Sequence, residues 1–196
     1  MKNKFKKNIF ILVILLIILM ICVYKIYKSG NTIIKLKNNL VVDIFNISSY
    51  EAKIEVTISS NKTENKYILK QYYESNKKEM QIVEYPENIK GLEINYNNEN
   101  LEIKNSKIGL TKIYNNYSYI NNNILWLNYF IEKCKENKYE LEETENEIII
   151  LLKFNQNRYY GKLYLNKTNN KPIKMEIKDN SNKSKIYIEY IEISLK

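Results

Sequence analysis

"YEAKIEVTIS", residues 50–59, alternates without a slip. Tyr50, Ala52, Ile54, Val56 and Ile58 fall on one side, and Glu51, Lys53, Glu55, Thr57 and Ser59 on the other. A period of two sends successive side chains to opposite faces of a strand, so this segment reads as a half-buried antiparallel strand. On a helix the same residues would scatter around the axis and leave no apolar face.

The pattern spreads in both directions. "SNKTEN" (60–65) is a turn, "KYILKQYYES" (66–75) runs back, and "KEMQIVEY" (78–85) stops at Pro86. "GLEINYN" (91–97) and "LEIKN" (101–105) form a hairpin around "NNEN". The C-terminal third repeats the theme in "KYELEET", "EIIILLKF", "RYYGKLYLN", "PIKMEIK" and "SKIYIEYIEISL", with "KTNNKP" and "DNSNKS" as turns. In the last strand Ile186, Ile188 and Tyr190 share one phase while Ile191, Ile193 and Leu195 take the other, which predicts a bulge or a sheet-edge bend. "SKIGLTKIYNNYSYI" (106–120) fits a strand or an irregular helix, and its pattern does not choose.

Two stretches have helical spacing. Leu36, Leu40, Val41, Ile44 and Phe45 predict a short amphipathic helix between Lys35 and Ile47. Ile124, Leu127, Phe130, Ile131 and Cys134 share one face of a second helix near 123–137, with Asn122 or Asn123 as its N-cap. About ten strands in meander order with two helices predict an α+β class: an open, strongly curved antiparallel half-barrel with helices on its concave face.

Ahead of this domain, residues 9–24 carry no charge. About sixteen residues reach about 24 Å, short of a ~30 Å hydrocarbon core, but Lys25 can snorkel and complete a span. Lys2, Lys4, Lys6 and Lys7 precede the run and Lys25 and Lys28 follow it, which places the N-terminus in the cytoplasm. The expected division is a basic stub and transmembrane helix over 1–28, then an extracytoplasmic domain over 29–196. Cys22 has two readings. With Leu19 it has the spacing of a lipid-attachment box, and as a residue of an uncleaved apolar helix it is a small hydrophobe. Ile21, bulky and β-branched where a small residue precedes a cleavage point, favours the uncleaved anchor.

The net charge of +9 comes mainly from this leader: removing its six lysines from the 31 bases leaves 25 against 22 acids. No cluster of basic residues interleaved with aromatics remains, which argues against nucleic acid. The chain has no histidine, so the usual general base and the His-dependent triads are excluded. Cys134, alone in the domain, excludes an internal disulfide and is expected in the core. "ELEETENE" (140–147) reads as a solvated hairpin tip, and no cofactor or metal is expected. Trp126 lies off the apolar stripe and reads as core or cavity rim, or as an exposed anchor. With Tyr114, Tyr117 and Tyr119 it is a candidate contact for a partner.

Residues 48–178 resemble the GerS-type germination lipoproteins of spore-forming anaerobes. The resemblance rests on Asn61-Lys62 with Asn65 and Tyr67, on Lys70-Gln71-Tyr72, and on Pro86 and Gly91 framing a turn. It continues through Leu101, Asn105, Leu110, Tyr114 and Tyr117 to Asn123, Leu125, Leu127 and Phe130. Through that family the chain also looks like the lipoprotein carriers LolA and LolB, whose unclosed barrel agrees with the strand pattern. The resemblance implies a membrane-tethered, non-enzymatic accessory role in sporulation or germination, with a cortex amidase as partner. The alternative is a LolA-like carrier or sensor of acyl chains.

Overall fold

In a computed structural model of the chain, residues 44–97, 100–115, 124–181 and 183–196 are described. They form one antiparallel sheet of eleven strands. These are β1 (Ser49–Ser60), β2 (Glu64–Glu74), β3 (Lys78–Tyr85), β4 (Leu92–Asn97), β5 (Asn100–Asn105) and β6 (Leu110–Tyr114), then β7 (Tyr139–Glu143), β8 (Glu147–Phe154), β9 (Tyr159–Asn166), β10 (Pro172–Asp179) and β11 (Ser184–Leu195). One α-helix, α1 (Leu127–Glu136), lies between β6 and β7.

The spatial order is β6-β5-β4-β3-β2-β1-β11-β10-β9-β8-β7. Two meanders are thus joined through the first and last strands, and β6 and β7, consecutive in sequence, occupy opposite edges. The chain must cross one face of the sheet to connect them, and α1 lies on that path. Polar groups of α1 reach β1 and β3, and Leu125 just before it reaches β2, while the helix's rings pack on β8 and β9. Those strands span six spacings of about 4.8 Å, or about 29 Å if flat, whereas ten helical residues measure about 15 Å. The sheet therefore curls around the helix.

The inner face is continuous. Val56, Ile188, Met175, Leu163 and Ile150 stand directly opposite one another on five neighbouring strands, each at 0% exposure. The register of β1 against β11 runs from Tyr50↔Leu195 to Lys53↔Glu192 and resumes at Ile54↔Tyr190. Ile191 is the extra residue, 48% exposed. This bulge explains the change of phase seen in the sequence: past it, Ile193 and Leu195 return to the side of Ile186, Ile188 and Tyr190.

Several expectations are corrected. The class is not α+β with several helices on the concave face: strands dominate, and a single α-helix, around which the sheet curls, lies wholly within the described residues. Of the predicted helix over 35–47, Ile44 and Phe45 are helical and the positions before Ile44 lie outside the described residues. No helix among the described residues is long and apolar enough to cross a membrane, and the expected transmembrane helix over 9–24, with Cys22, lies outside them. Of residues 106–120, which fit either strand or helix, those described, 106–115, give a 3-10 turn at Ser106–Ile108 and then β6.

One glycine decides how closely the helix approaches. A Cβ on Gly161 would stand 2.6 Å from Phe130 Cε2 and 3.2 Å from Phe154 Cε1. Glycine inside a strand commonly marks such a contact. Gly161→Ala should destabilise by about 1–3 kcal/mol through overpacking, and Phe130→Ala by about 3–5 kcal/mol through the void it leaves. In urea unfolding the double variant should cost less than the sum, since removing the ring makes room for the methyl. A neutral Gly161→Ala would refute the close packing.

Candidate functional site

The N-terminal end of α1 is built from residues far apart in sequence. Trp126 is its N-cap and offers no capping side chain. The amide of Leu127 instead donates to the hydroxyl of Tyr50 at 3.2 Å, and that hydroxyl donates to Asn128 Oδ1 at 3.2 Å. Asn128 Nδ2 donates to Glu79 Oε1 on β3 at 2.9 Å. Beside this chain Gln71, fully buried on β2, donates through Nε2 to the Leu125 carbonyl and to Gln81 Oε1, each at 3.2 Å. A helix end leaves orphan amides, and here a tyrosine from the sheet serves one of them. Burial first, then the neighbouring Tyr190, holds the Tyr50 phenol well above its ordinary pKa, so the hydroxyl keeps the proton it donates.

The helix thus begins at Leu127, later than the predicted 123, and an amide of its first turn is served from β1; Asn122 and Asn123, the expected caps, lie outside the described residues. Of the predicted helical face, Leu127, Phe130, Ile131 and Cys134 are buried, while Ile124 precedes the helix and is half-buried. Burial pushes the Cys134 thiol up to about 12, which keeps it protonated and unreactive near neutrality. Trp126 is 3% exposed, with its ring 6.4 Å from that of Tyr50, and so offers no surface to a partner. Tyr117 and Tyr119 lie outside the described residues.

An open groove of about 700 Å³ runs beside this network, lined among others by Tyr73, Glu74, Glu79, Tyr96, Asn128 and Glu132. Its carboxylates are engaged in part: Lys77 pairs with Glu74, and Asn128 holds Glu79. Among the described residues no group of three His, Cys, Asp or Glu is placed to hold a metal ion. The glutamates of 140–147 belong to β7, β8 and the turn joining them, where Glu143 pairs with Lys167 at 2.7 Å.

The most exposed apolar surface lies elsewhere, on edge strand β6, all five of whose residues are exposed. Asn105 Oδ1 accepts from the Lys107 amide at 3.1 Å and starts the turn before β6, and Gly109, at φ +63°, ends it. That left-handed position favours glycine. The turn swings Ile108 out to 71% exposure, beside Leu110 at 45%, Ile113 at 57% and Tyr114 at 36%. Pairing with β5 puts Leu110, Lys112 and Tyr114 on the face of Leu101, and Ile113 on the other. Lys112 Nζ stands 4.9 Å from the centre of the Tyr114 ring. Tyr114 was expected as a contact residue; the apolar neighbours Ile108, Leu110 and Ile113 were missed, although they sit in the stretch whose alternation was ambiguous.

Residues 6–194 match the family described as sporulation protein YdcC-like. The chain belongs to that family. No curated protein matches significantly. Among solved structures, an uncharacterized conserved protein from Thermus thermophilus is similar at 9% identity over 82% of this chain and 88% of its own, with a TM-score of 0.52. At that identity the likeness is one of fold alone. The structure of the CwlD amidase from Clostridioides difficile in complex with the GerS lipoprotein is matched at 21% identity, over 83% of this chain and 91% of the matched one, with a TM-score of 0.45. A LolA superfamily protein from Nitrosomonas europaea follows at 12% identity, 81% and 93% coverage and a TM-score of 0.43.

The helix anchor makes two predictions. Tyr50→Phe leaves the Leu127 amide and Asn128 Oδ1 without this partner, and should cost about 1–3 kcal/mol in urea unfolding. An unchanged midpoint would show that the hydroxyl does not hold the helix. The pH dependence has a definite sign. An acid whose folded pKa is raised ionises first in the unfolded chain, so the Cys134 contribution is intact below about pH 9 and is lost as pH rises toward about 12. Tyr50 acts in the same direction. Stability should fall across that window, and less steeply in Cys134→Ala.

Proposed function

We propose that this chain is a non-enzymatic accessory protein of sporulation or germination, which works outside the cytoplasm by binding a cortex peptidoglycan-modifying amidase and supporting its activity. The exposed edge carries the binding part of this reading: among the described residues, four of the eight large exposed apolar side chains fall between Ile108 and Tyr114. Clustered apolar exposure of that kind marks interaction surfaces. Membership of a sporulation family supplies the setting. The amidase comes from the resemblance of residues 48–178 to GerS-type lipoproteins, one of which has been solved with an amidase. An acyl-chain carrier is the competing reading. It is disfavoured over β8, β9 and β1, where Leu127, Tyr129, Phe130 and Trp126 already fill the space between helix and sheet.

The test is capture of the tagged full chain from sporulating cells, with a purified amidase then assayed with and without it. An amidase that co-purifies and turns over cortex faster with the chain present is the expected result. If the chain neither binds nor affects a co-expressed amidase, yet takes up a fluorescent fatty acid at one equivalent, the carrier reading replaces this one.

A further inference from the structure

The edge at β6 has a charge as well as an apolar surface. From Lys104 to Tyr114 the chain carries Lys104, Lys107 and Lys112 and no acid. All three lysines are exposed, as are Ile108, Leu110, Ile113 and Tyr114. Among the described residues β6 pairs only with β5, so the hydrogen-bonding groups along its other side meet no strand. An unpaired edge is a template for another strand, and most proteins blunt it. Here Lys112 is the only charged residue of β6, and apolar groups flank it on both faces.

We propose that β6 is a strand-addition site: an extended segment of a partner protein, alternating acidic and apolar residues, continues the sheet beyond β6. The backbone supplies the affinity; on one face Ile113 receives the apolar side chains, and on the other Lys112 selects the acids. A second copy fits less well. Antiparallel pairing of β6 with its own copy sets lysines against lysines with no acid in the stretch. Pairing with the acidic edge β7 of another copy ("YELEE", 139–143) does not close, so each addition leaves a further β6 and β7 exposed and builds a filament. A foreign strand ends the sheet. The inference rests on the reading of this chain as a binding protein, and not on the partner being an amidase.

The full chain would be titrated with two labelled octapeptides, (Glu-Val)4 and (Lys-Val)4. The one opposite-charge cross-strand pair, at Lys112, with Lys104 on the neighbouring strand and Lys107 in the turn, predicts that the acidic peptide binds about fivefold more tightly. The triple variant Lys104→Glu, Lys107→Glu, Lys112→Glu should reverse that order. Leu110→Ser with Ile113→Ser should weaken both peptides. All five positions are exposed, so the thermal midpoint of each variant should match the parent, which separates lost binding from lost fold. Equal binding of the two peptides, or indifference to the lysine reversal, overturns the proposal. Growth of the chain itself into concentration-dependent oligomers that Lys112→Glu dissolves also overturns it, in favour of self-pairing. Failure to capture any amidase while (Glu-Val)4 still binds at β6 refutes the function proposed above and leaves the strand-addition site standing.

Discussion

Pairing between β1 and β11 is the constraint on which the rest of the structure depends. It places the two ends of the domain side by side in the middle of the sheet, Tyr50 opposite Leu195 and Val56 opposite Ile188. Each end then spreads outward as its own meander, and the strands halfway along the chain become the two edges. The crossing helix follows from this, because the path between β6 and β7 traverses a face that would otherwise expose a broad apolar surface. The curl of the sheet follows in turn, since one short helix can touch strands on both sides of the seam only if they bend toward it.

The contact between helix and sheet is held in two different ways. At the β8–β9 side it is steric, with the ring of Phe130 lying where Gly161 has no side chain. At the β1–β3 side it is polar, with Tyr50, Gln71 and Glu79 meeting the backbone or side chains of 125–128. Apolar packing tolerates sliding, whereas directed hydrogen bonds do not, so the polar side fixes where the helix begins. Buried donors that lost these partners would carry a desolvation cost with nothing to offset it.

Much of this was legible in the sequence because strand periodicity is local. The alternation at 50–59 identified β1, the phase change at 190–191 announced the bulge, and the stripe Leu127, Phe130, Ile131, Cys134 identified the helix. What stayed hidden depends on contacts between distant residues. The hydroxyl that serves an amide of the helix's first turn lies 77 residues upstream, at Tyr50. Asparagines at 122 and 123 have the right chemistry for a cap, but nothing local says that a tyrosine from another element will serve the first turn. Trp126 shows the same limit: it falls off the helical stripe because it precedes the helix, and the sheet buries it regardless. At 106–120 the pattern was ambiguous because an edge strand exposed on both faces has no alternation to display.

The seam between the first and last strands also dictates an order of events. As the chain emerges, β1 to β6 can form hairpins with near neighbours, and so can β7 to β11, but the row running from Val56 through Ile188 to Ile150 is incomplete until the final strand arrives. Pairing residues so distant in sequence carries the entropic cost of closing a very long loop, which makes sheets of this kind slow to form. Until then the half-sheet that begins with β1 presents a second unsatisfied edge, broader and more apolar than β6. Until β11 pairs, that edge is open to any other strand, and this twelve-residue strand is the latch that closes it.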